Sequence, residues 1–202
     1  TPVYALPGTR IYLDPQNYKF IRPTNGSLGE RFNVTVKVEA VTDLAAFQMC
    51  MVYNDTIINV TRWYEPTWDP QYVFKGKTTL PVPFPPDFSY ESRGPGIGAA
   101  TVSSALFPAP PLQPSFSGSG ILCILEFKIT AVPPEGKTYS CPLNINNDDT
   151  FLINSPGDKI PVTKENGYYE LSGGVPPPPK PPVANFGWSP TKPLENETVT
   201  FN

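Results

Sequence analysis

Acidic residues are the first candidates for chemistry in this chain, because it contains no histidine. Without imidazole, Ser/His and Cys/His catalytic pairs and histidine zinc sites are excluded. Glu165 with Glu170, or Asp69 with Asp87, could act as a glycosidase pair if the carboxyl groups faced each other about 5–10 Å apart. Nothing in the sequence places either pair beside a sugar cleft. We therefore predict that the protein is not an enzyme.

A run of oxygen-bearing side chains lies between Asn144 and Asp149. Asn146, Asp148 and Asp149 could together bind a calcium ion, which prefers oxygen ligands. The spacing is not that of an EF-hand, which alternates its ligands and ends on a bidentate glutamate. The sequence favours an Asx-rich turn between two strands, and predicts no cofactor.

Aromatic residues are concentrated in the proline-rich stretch 62–114. Trp63, Trp68 and Tyr72 could form a flat platform on which sugar rings stack. The alternative is a structural role, since each buried aromatic ring removes about 150–250 Å² from water. We favour the structural role.

The three cysteines, Cys50, Cys123 and Cys141, match no metal-binding spacing. Alternation in their segments points both Cys123 and Cys141 towards the core, so we predict a disulfide between them. A Cys50–Cys123 bridge and three reduced thiols are the alternatives.

Five N-glycosylation sequons are present, and they indicate a secreted protein. The alternative is a threonine-rich β protein in which such triplets arise by chance. The acceptor residues are Asn25, Asn33, Asn54, Asn59 and Asn196.

The elements that must position these residues are β-strands. Alternating apolar and polar residues over 32–39 predict a half-buried strand, and the more continuously apolar segments 47–53 and 121–129 predict central strands. Shorter strands are expected at 10–13, 56–60, 72–74, 98–103, 139–145, 151–153, 159–162 and 168–171. Only Val41–Ala46 could form a single helical turn. The pattern predicts an all-β sandwich.

Composition agrees with this class. Among 202 residues there are 28 prolines and 15 glycines, and charged residues make up only 16%. The net charge of −3 offers no basic surface for nucleic acid. No apolar run is long enough to span a membrane.

Residues 173–182 are dominated by proline and predict a polyproline II spacer. Beyond it, the segments around Phe186 and Val199 predict two further strands. Two strands cannot bury a core alone.

Two family resemblances fit this organisation. Residues 9–172 resemble cohesin modules, which are jelly-roll β-sandwiches related to carbohydrate-binding modules. The matching segments, in order, are 11–15, 44–54, 57–60, 117–127, 158–162 and 167–171. The stretch 62–114 is longer and more aromatic than is usual in cohesins. Residues 183–202 resemble the first two strands of a PKD domain, an Ig-like sandwich, whose later signature is absent from this sequence.

The resemblances imply a secreted surface protein of the kind in which archaea combine cohesin-like modules with PKD repeats. We expect a structural or adhesive subunit that assembles by β-strand pairing. The alternative is a module that binds a glycan or a dockerin, including one that is accessory to a larger carbohydrate-active protein. Residues 1–8 form an N-terminal extension, in which Val3–Leu6 could pair with a neighbouring subunit. A frayed terminus is the other interpretation of this segment.

Overall fold

The computed structural model describes residues 8–85 and 87–174, together with 188–189, 192, 194–196, 198 and 200–201. These residues contain strands and turns but no helix, which confirms the all-β prediction. The strands are β1 (Arg10–Asp14), β2 (Asn17–Ile21), β3 (Arg31–Tyr53), β4 (Ile58–Tyr64), β5 (Thr79–Val82), β6 (Ser89–Ser92), β7 (Gly98–Leu106), β8 (Phe116–Ile129), β9 (Thr138–Ile145), β10 (Phe151–Asn154), β11 (Lys159–Ile160), β12 (Thr163–Glu165), β13 (Gly167–Ser172), β14 (Trp188–Ser189) and β15 (Thr200–Phe201).

The long strand β3 is shared by the two layers of a sandwich. Its first half pairs with β1 and β8, and these pair in turn with β12 and β4, which gives the first sheet the order β12-β1-β3-β8-β4. Its second half pairs with β7 on one side and with β10 and β9 on the other. Strands β5 and β6 extend the second sheet beyond β7, β11 extends it beyond β10, and β13 and β2 extend it beyond β9.

The strand changes layer at a bend around Ala40 and Asp43, whose φ angles are +53° and +60°. The register against β8 shifts at the same place. The hydroxyls of Ser119 and Ser117 accept hydrogen bonds from the backbone N–H groups of Ala40 (3.1 Å) and Asp43 (2.9 Å), so the bend does not leave these donors unpaired. The helical turn predicted at Val41–Ala46 is therefore wrong, because this segment is the bent part of a strand.

Replacing Ala40 with glycine is expected to stabilise the protein by about 0.5 kcal/mol. A Cβ at positive φ costs roughly 1–2 kcal/mol, which exceeds the extra unfolded-state entropy of glycine. In the matched control Ala46→Gly, in the regular part of the same strand, the sign should reverse, with a loss of about 0.5–1 kcal/mol. Urea denaturation midpoints of both variants measure the difference, and a loss of stability in both would contradict the strain argument.

The core lies between the two halves of β3. Val34, Val36 and Val38 are fully buried, as the alternation of 32–39 predicted. The segment 72–74 is also buried, but it forms turns with one isolated bridge from Tyr72 to Ile121, so the strand predicted there is wrong. Proline and turn residues flank it and prevent a regular ladder.

All three cysteines are buried free thiols, and the predicted Cys123–Cys141 disulfide is not formed. Both side chains do face the core, but Cys123 lies on β8 of the first sheet and Cys141 on β9 of the second. Packed sheets are about 10 Å apart, whereas a disulfide needs Cα atoms within roughly 7 Å. Burial raises the pKa of both thiols.

The tail contains the antiparallel pair β14 and β15. This agrees with the two strands predicted there, while the resemblance to a PKD domain stays a prediction. Residues 1–7, which include Val3–Leu6, and residues 175–182 of the proline-rich spacer lie outside the described residues.

Candidate functional site

The outer face of the first sheet is covered by ion pairs. Arg10 bridges Glu39 and Glu165, and Lys37 contacts Asp14 at 2.6 Å. Each of these five charges has its partner on a neighbouring strand of the same face. This face is thereby suited to solvent rather than to an apolar partner.

Glu126 on β8 is the centre of the largest group of charges on that face. Its carboxylate is 7% exposed and accepts hydrogen bonds from Arg31 (2.5 Å) and Arg62 (2.7 Å). The hydroxyls of Thr61 (2.7 Å) and Tyr64 (3.2 Å) complete its coordination. Burial by itself would raise the pKa of Glu126, but these hydrogen bonds outweigh it and lower the pKa to about 2. The group is a fixed anion that holds β3, β4 and β8 together.

The outer face of the second sheet is different, because its strands present small and apolar residues. Two rows cross four strands, β5, β7, β3 and β10, in register. The first row is Leu80, Ala105, Ala46 and Ile153. The second row is Val82, Ser103, Gln48 and Phe151. We call these eight residues the trough.

The trough has a low floor and two apolar walls. Alanine, serine and glutamine occupy the two central strands, while Leu80 and Val82 stand on one side and Phe151 and Ile153 on the other. Seven of the eight trough residues, all except Ile153, line a groove of about 230 Å³. From β5 to β10 there are three strand spacings, or roughly 14 Å, which is enough to admit an α-helix of about 10–12 Å diameter.

Large exposed side chains extend the β5 wall. Phe84, Phe107 and Leu112 are 67%, 60% and 80% exposed, and Leu80 and Val82 are 44% and 55% exposed. Phe84 follows the end of β5, and Phe107 follows the β7 residue that pairs with the start of β5, so the two rings lie at opposite ends of this edge strand. A rim of exposed apolar side chains is characteristic of a protein interaction site.

One end of the trough is closed by charges. Arg93 pairs with Asp149 and with Glu91 (3.0 Å), and its guanidinium lies 3.8 Å from the Cys50 sulfur. This ion-paired lid buries Cys50, and that burial raises the pKa of the thiol. Cys50 is therefore a buried thiol beneath these ion pairs.

The flat sugar platform, which was the alternative to a structural role for Trp63, Trp68 and Tyr72, is not assembled. Trp63 and Tyr72 are 0% and 2% exposed, whereas Trp68 is 66% exposed. The indole N–H of Trp63 donates to the Pro83 carbonyl (3.2 Å), and the Tyr72 hydroxyl donates to Glu65 (2.7 Å). Two of the three rings thus have the structural role that the sequence favoured.

The oxygen-rich run after β9 forms an Asx turn. The side-chain oxygen of Asn146 accepts hydrogen bonds from the N–H groups of Asp148 (2.9 Å) and Asp149 (2.8 Å). The carboxylate of Asp149 is bound by Arg93. Within the described residues, no group of three or more acidic, cysteine or histidine side chains could hold a metal ion.

Glu165 and Asp69, one carboxylate from each candidate catalytic pair, have structural partners. Glu165 is bound by Arg10, and Asp69 caps a turn by accepting from the Gln71 N–H (2.7 Å). Both carboxylates therefore have a structural role. No helix in the described part of the chain has the length and apolar character that crossing a membrane requires.

The four sequons in the sandwich lie outside the trough. Asn25 and Asn33 are exposed, while Asn54 and Asn59 are half-buried and use their side-chain oxygens as acceptors. Asn196 is exposed in the tail, with φ +64°. Glycosylation of these residues stays a prediction.

Comparison with known proteins identifies the fold. No protein-family model and no curated protein matches the chain. Among solved structures, a non-cellulosomal cohesin from the archaeon Archaeoglobus fulgidus is similar at 15% identity and TM-score 0.52, over 81% of this chain and 91% of that one. The chain has a cohesin fold.

Bacterial structures support the same assignment. A type I cohesin–dockerin complex from Clostridium thermocellum is similar at 10% identity and TM-score 0.55, over 87% of this chain and 99% of that one. CaCohA2 from Clostridium acetobutylicum is similar at 17% identity and TM-score 0.54, over 84% and 94%. The predicted jelly-roll β-sandwich is thereby confirmed.

Proposed function

We propose that the protein is a non-enzymatic, extracellular recognition module that binds a helical, dockerin-type protein through the trough. The observation that carries the proposal is the contrast between the two outer faces. Ion pairs cover the first sheet, whereas small residues between apolar walls cover the second. An apolar surface of this shape is stabilised when a partner covers it.

The width and chemistry of the trough define the partner. A helix with small or apolar residues along one side would fit between Leu80 and Phe151, with its backbone close to the alanines of the floor. Several solved cohesins with this fold are named as complexes with dockerins. These complexes support a dockerin-type partner over the structural or adhesive role that we expected first.

The sequons support the trough as the binding face, because they lie outside it. Their presence also supports an extracellular location. A glycan at Asn33 would project from the ion-paired sheet and leave the trough open. Two faces with different roles would then be separated by the thickness of the sandwich.

Replacing Ala105 with arginine tests this function. The variant places a charge in the floor of the trough, and we expect binding to weaken at least about 100-fold, because an unpaired charge in an apolar interface is costly. The matched control is Thr163→Arg, on the exposed edge strand of the first sheet, which should bind as the unmodified protein does.

The measurement is surface plasmon resonance against a panel of dockerin modules. Retention on insoluble polysaccharides is measured in parallel, because a glycan is the alternative class of ligand. Binding of a dockerin that A105R loses and T163R keeps would support the proposal. Binding only to polysaccharide, with loss on Trp68→Ala, would overturn it in favour of a carbohydrate-binding module.

A further inference from the structure

Strand β9 has a long free edge that the trough does not use. One side of β9 pairs with β13 over Thr138–Leu143. The other side pairs with β3 only at Asn144 and Ile145, because β3 ends at Tyr53. From Thr138 to Pro142, no described strand lies along that side.

The direction of the backbone groups on this edge follows from hydrogen bonds at both ends of β9. The N–H of Asn146 donates to Cys50 on β3 (2.9 Å), whereas the carbonyl of Lys137 accepts from Gly173 beyond β13 (2.8 Å). Alternation along the strand then turns the even-numbered residues towards the free side. Thr138 and Ser140 present N–H and C=O groups there, and Pro142 presents a C=O group alone.

A groove runs along the same edge. One part, of about 330 Å³, lies between Ser140–Asn144 and residues 52–54 and 96–97. The adjoining part, of about 580 Å³, lies between Thr138–Ser140 and Asn54, Ile57 and Ala131. The lining combines apolar side chains with the unpaired backbone groups of β9, which is the requirement for adding an extended strand.

We propose that this groove accepts the segment Val3–Leu6 of a second copy of the chain, which adds to β9 as an extra strand. The segment Val-Tyr-Ala-Leu begins with two residues that favour strands, Val3 and Tyr4, and Pro2 and Pro7 limit it to four residues. Thr138–Pro142 offers a free edge of similar length. The inference concerns self-assembly and is independent of the proposed dockerin binding, since the trough lies elsewhere on the second sheet.

The donor must come from another copy because the two sites lie at opposite ends of the sandwich. Arg10 at the start of β1 pairs with Glu39, next to the bend of β3. Arg31 and Ile58 mark the other end, because both pair with the last residues of β8. The eight steps from Glu39 back to Arg31 cover about 26 Å, whereas the four steps from Leu6 to Arg10 can span at most about 14 Å.

Donation across opposite ends produces an open chain of subunits. Each subunit donates a strand at one end and accepts a strand at the other, so the contact is head-to-tail. Repetition of this contact gives an open chain of subunits, except where the rotation between neighbours closes a ring. The expected assembly is a filament with the sandwiches in line.

Substitution of Ser140 tests the acceptor edge. Ser140→Pro removes an N–H that faces the free side and leaves the pairing with β13 in place, as Pro142 already does in the native strand. Ser140→Ala is the matched control, because it changes the side chain and keeps the N–H. Sedimentation velocity of the full chain over a range of concentrations measures the assembly, and circular dichroism checks that S140P is folded.

We expect concentration-dependent polymers for the unmodified chain and for S140A, and at least about a 10-fold weaker association for S140P. Excess synthetic peptide TPVYALPGT should shorten the polymers by occupying the groove. A chain that stays monomeric, equal association of S140P and S140A, or polymers unaffected by the peptide would overturn the proposal.

Amide hydrogen exchange supplies a readout that needs no variant. The N–H groups of Thr138 and Ser140 should exchange at least about 10-fold more slowly in assembled protein than in dilute monomer. Unchanged exchange at both residues in assembled protein would overturn the proposed contact. A result that affects assembly and leaves dockerin binding intact separates this inference from the proposed function.

Discussion

Replacing Trp63 with alanine is expected to cost about 3–5 kcal/mol of folding stability, which is a large part of the roughly 5–15 kcal/mol available to a domain. The ring is fully buried and its N–H donates to the Pro83 carbonyl. Alanine leaves a cavity and an unpaired carbonyl. Equilibrium unfolding in guanidinium chloride measures the loss.

Trp68 provides the matched control for this experiment. Its side chain is 66% exposed and lies against Tyr64, with ring centroids 6.3 Å apart. Trp68→Ala should change stability by no more than about 0.5 kcal/mol. Similar losses in the two variants would contradict the assignment of Trp63 to the core and Trp68 to the surface.

Replacing Glu126 with glutamine is expected to destabilise the protein by about 2–3 kcal/mol at neutral pH. The substitution removes the charge that Arg31 and Arg62 bind, and hydrogen bonds to charged groups contribute roughly 1.5–3 kcal/mol each. Both arginine side chains are 42–53% exposed, so water recovers part of the loss and limits its size. Glu39→Gln, in a pair that is 38% exposed on both sides, should cost less than about 1 kcal/mol.

The effect of Glu126 should also depend on pH with a defined sign. Its pKa falls from 4.5 to about 2 in the folded protein, so the folded state favours the ionised carboxylate more than the unfolded state does. The contribution is complete above pH 4.5 and is lost as the pH falls through 2. Unfolding free energies of the unmodified protein and E126Q should therefore converge between pH 5 and pH 2. A constant difference over that range would show that the charge is not the cause.

The sequence by itself determined the fold class and the core faces. Alternation in residues 32–39 is a local property, because successive side chains of any strand point to opposite sides. The strands at Phe47–Tyr53 and Ile121–Ile129 were predictable for a different local reason, since their continuous apolar runs must be covered on both faces. The cohesin resemblance rested in part on the last two of these segments, and the comparison structures confirm the cohesin fold.

Tertiary structure decided the features that depend on pairing between distant segments. The bend at Ala40 and Asp43 joins two predicted strands into one, because serine hydroxyls from β8 satisfy its donors. Strand pairing also places Cys123 and Cys141 in different layers. Alternation within each strand could not show this.

The trough was missed for a related reason. Leu80 and Val82 stand among prolines, so their segment had the appearance of a loop, and Ala46, Ser103 and Ala105 carry no chemistry of their own. The alternation of small and apolar residues in β7 was the available signal. The trough exists only where four strands meet in register, because a surface of this kind is made by side chains that are neighbours in space and distant in sequence.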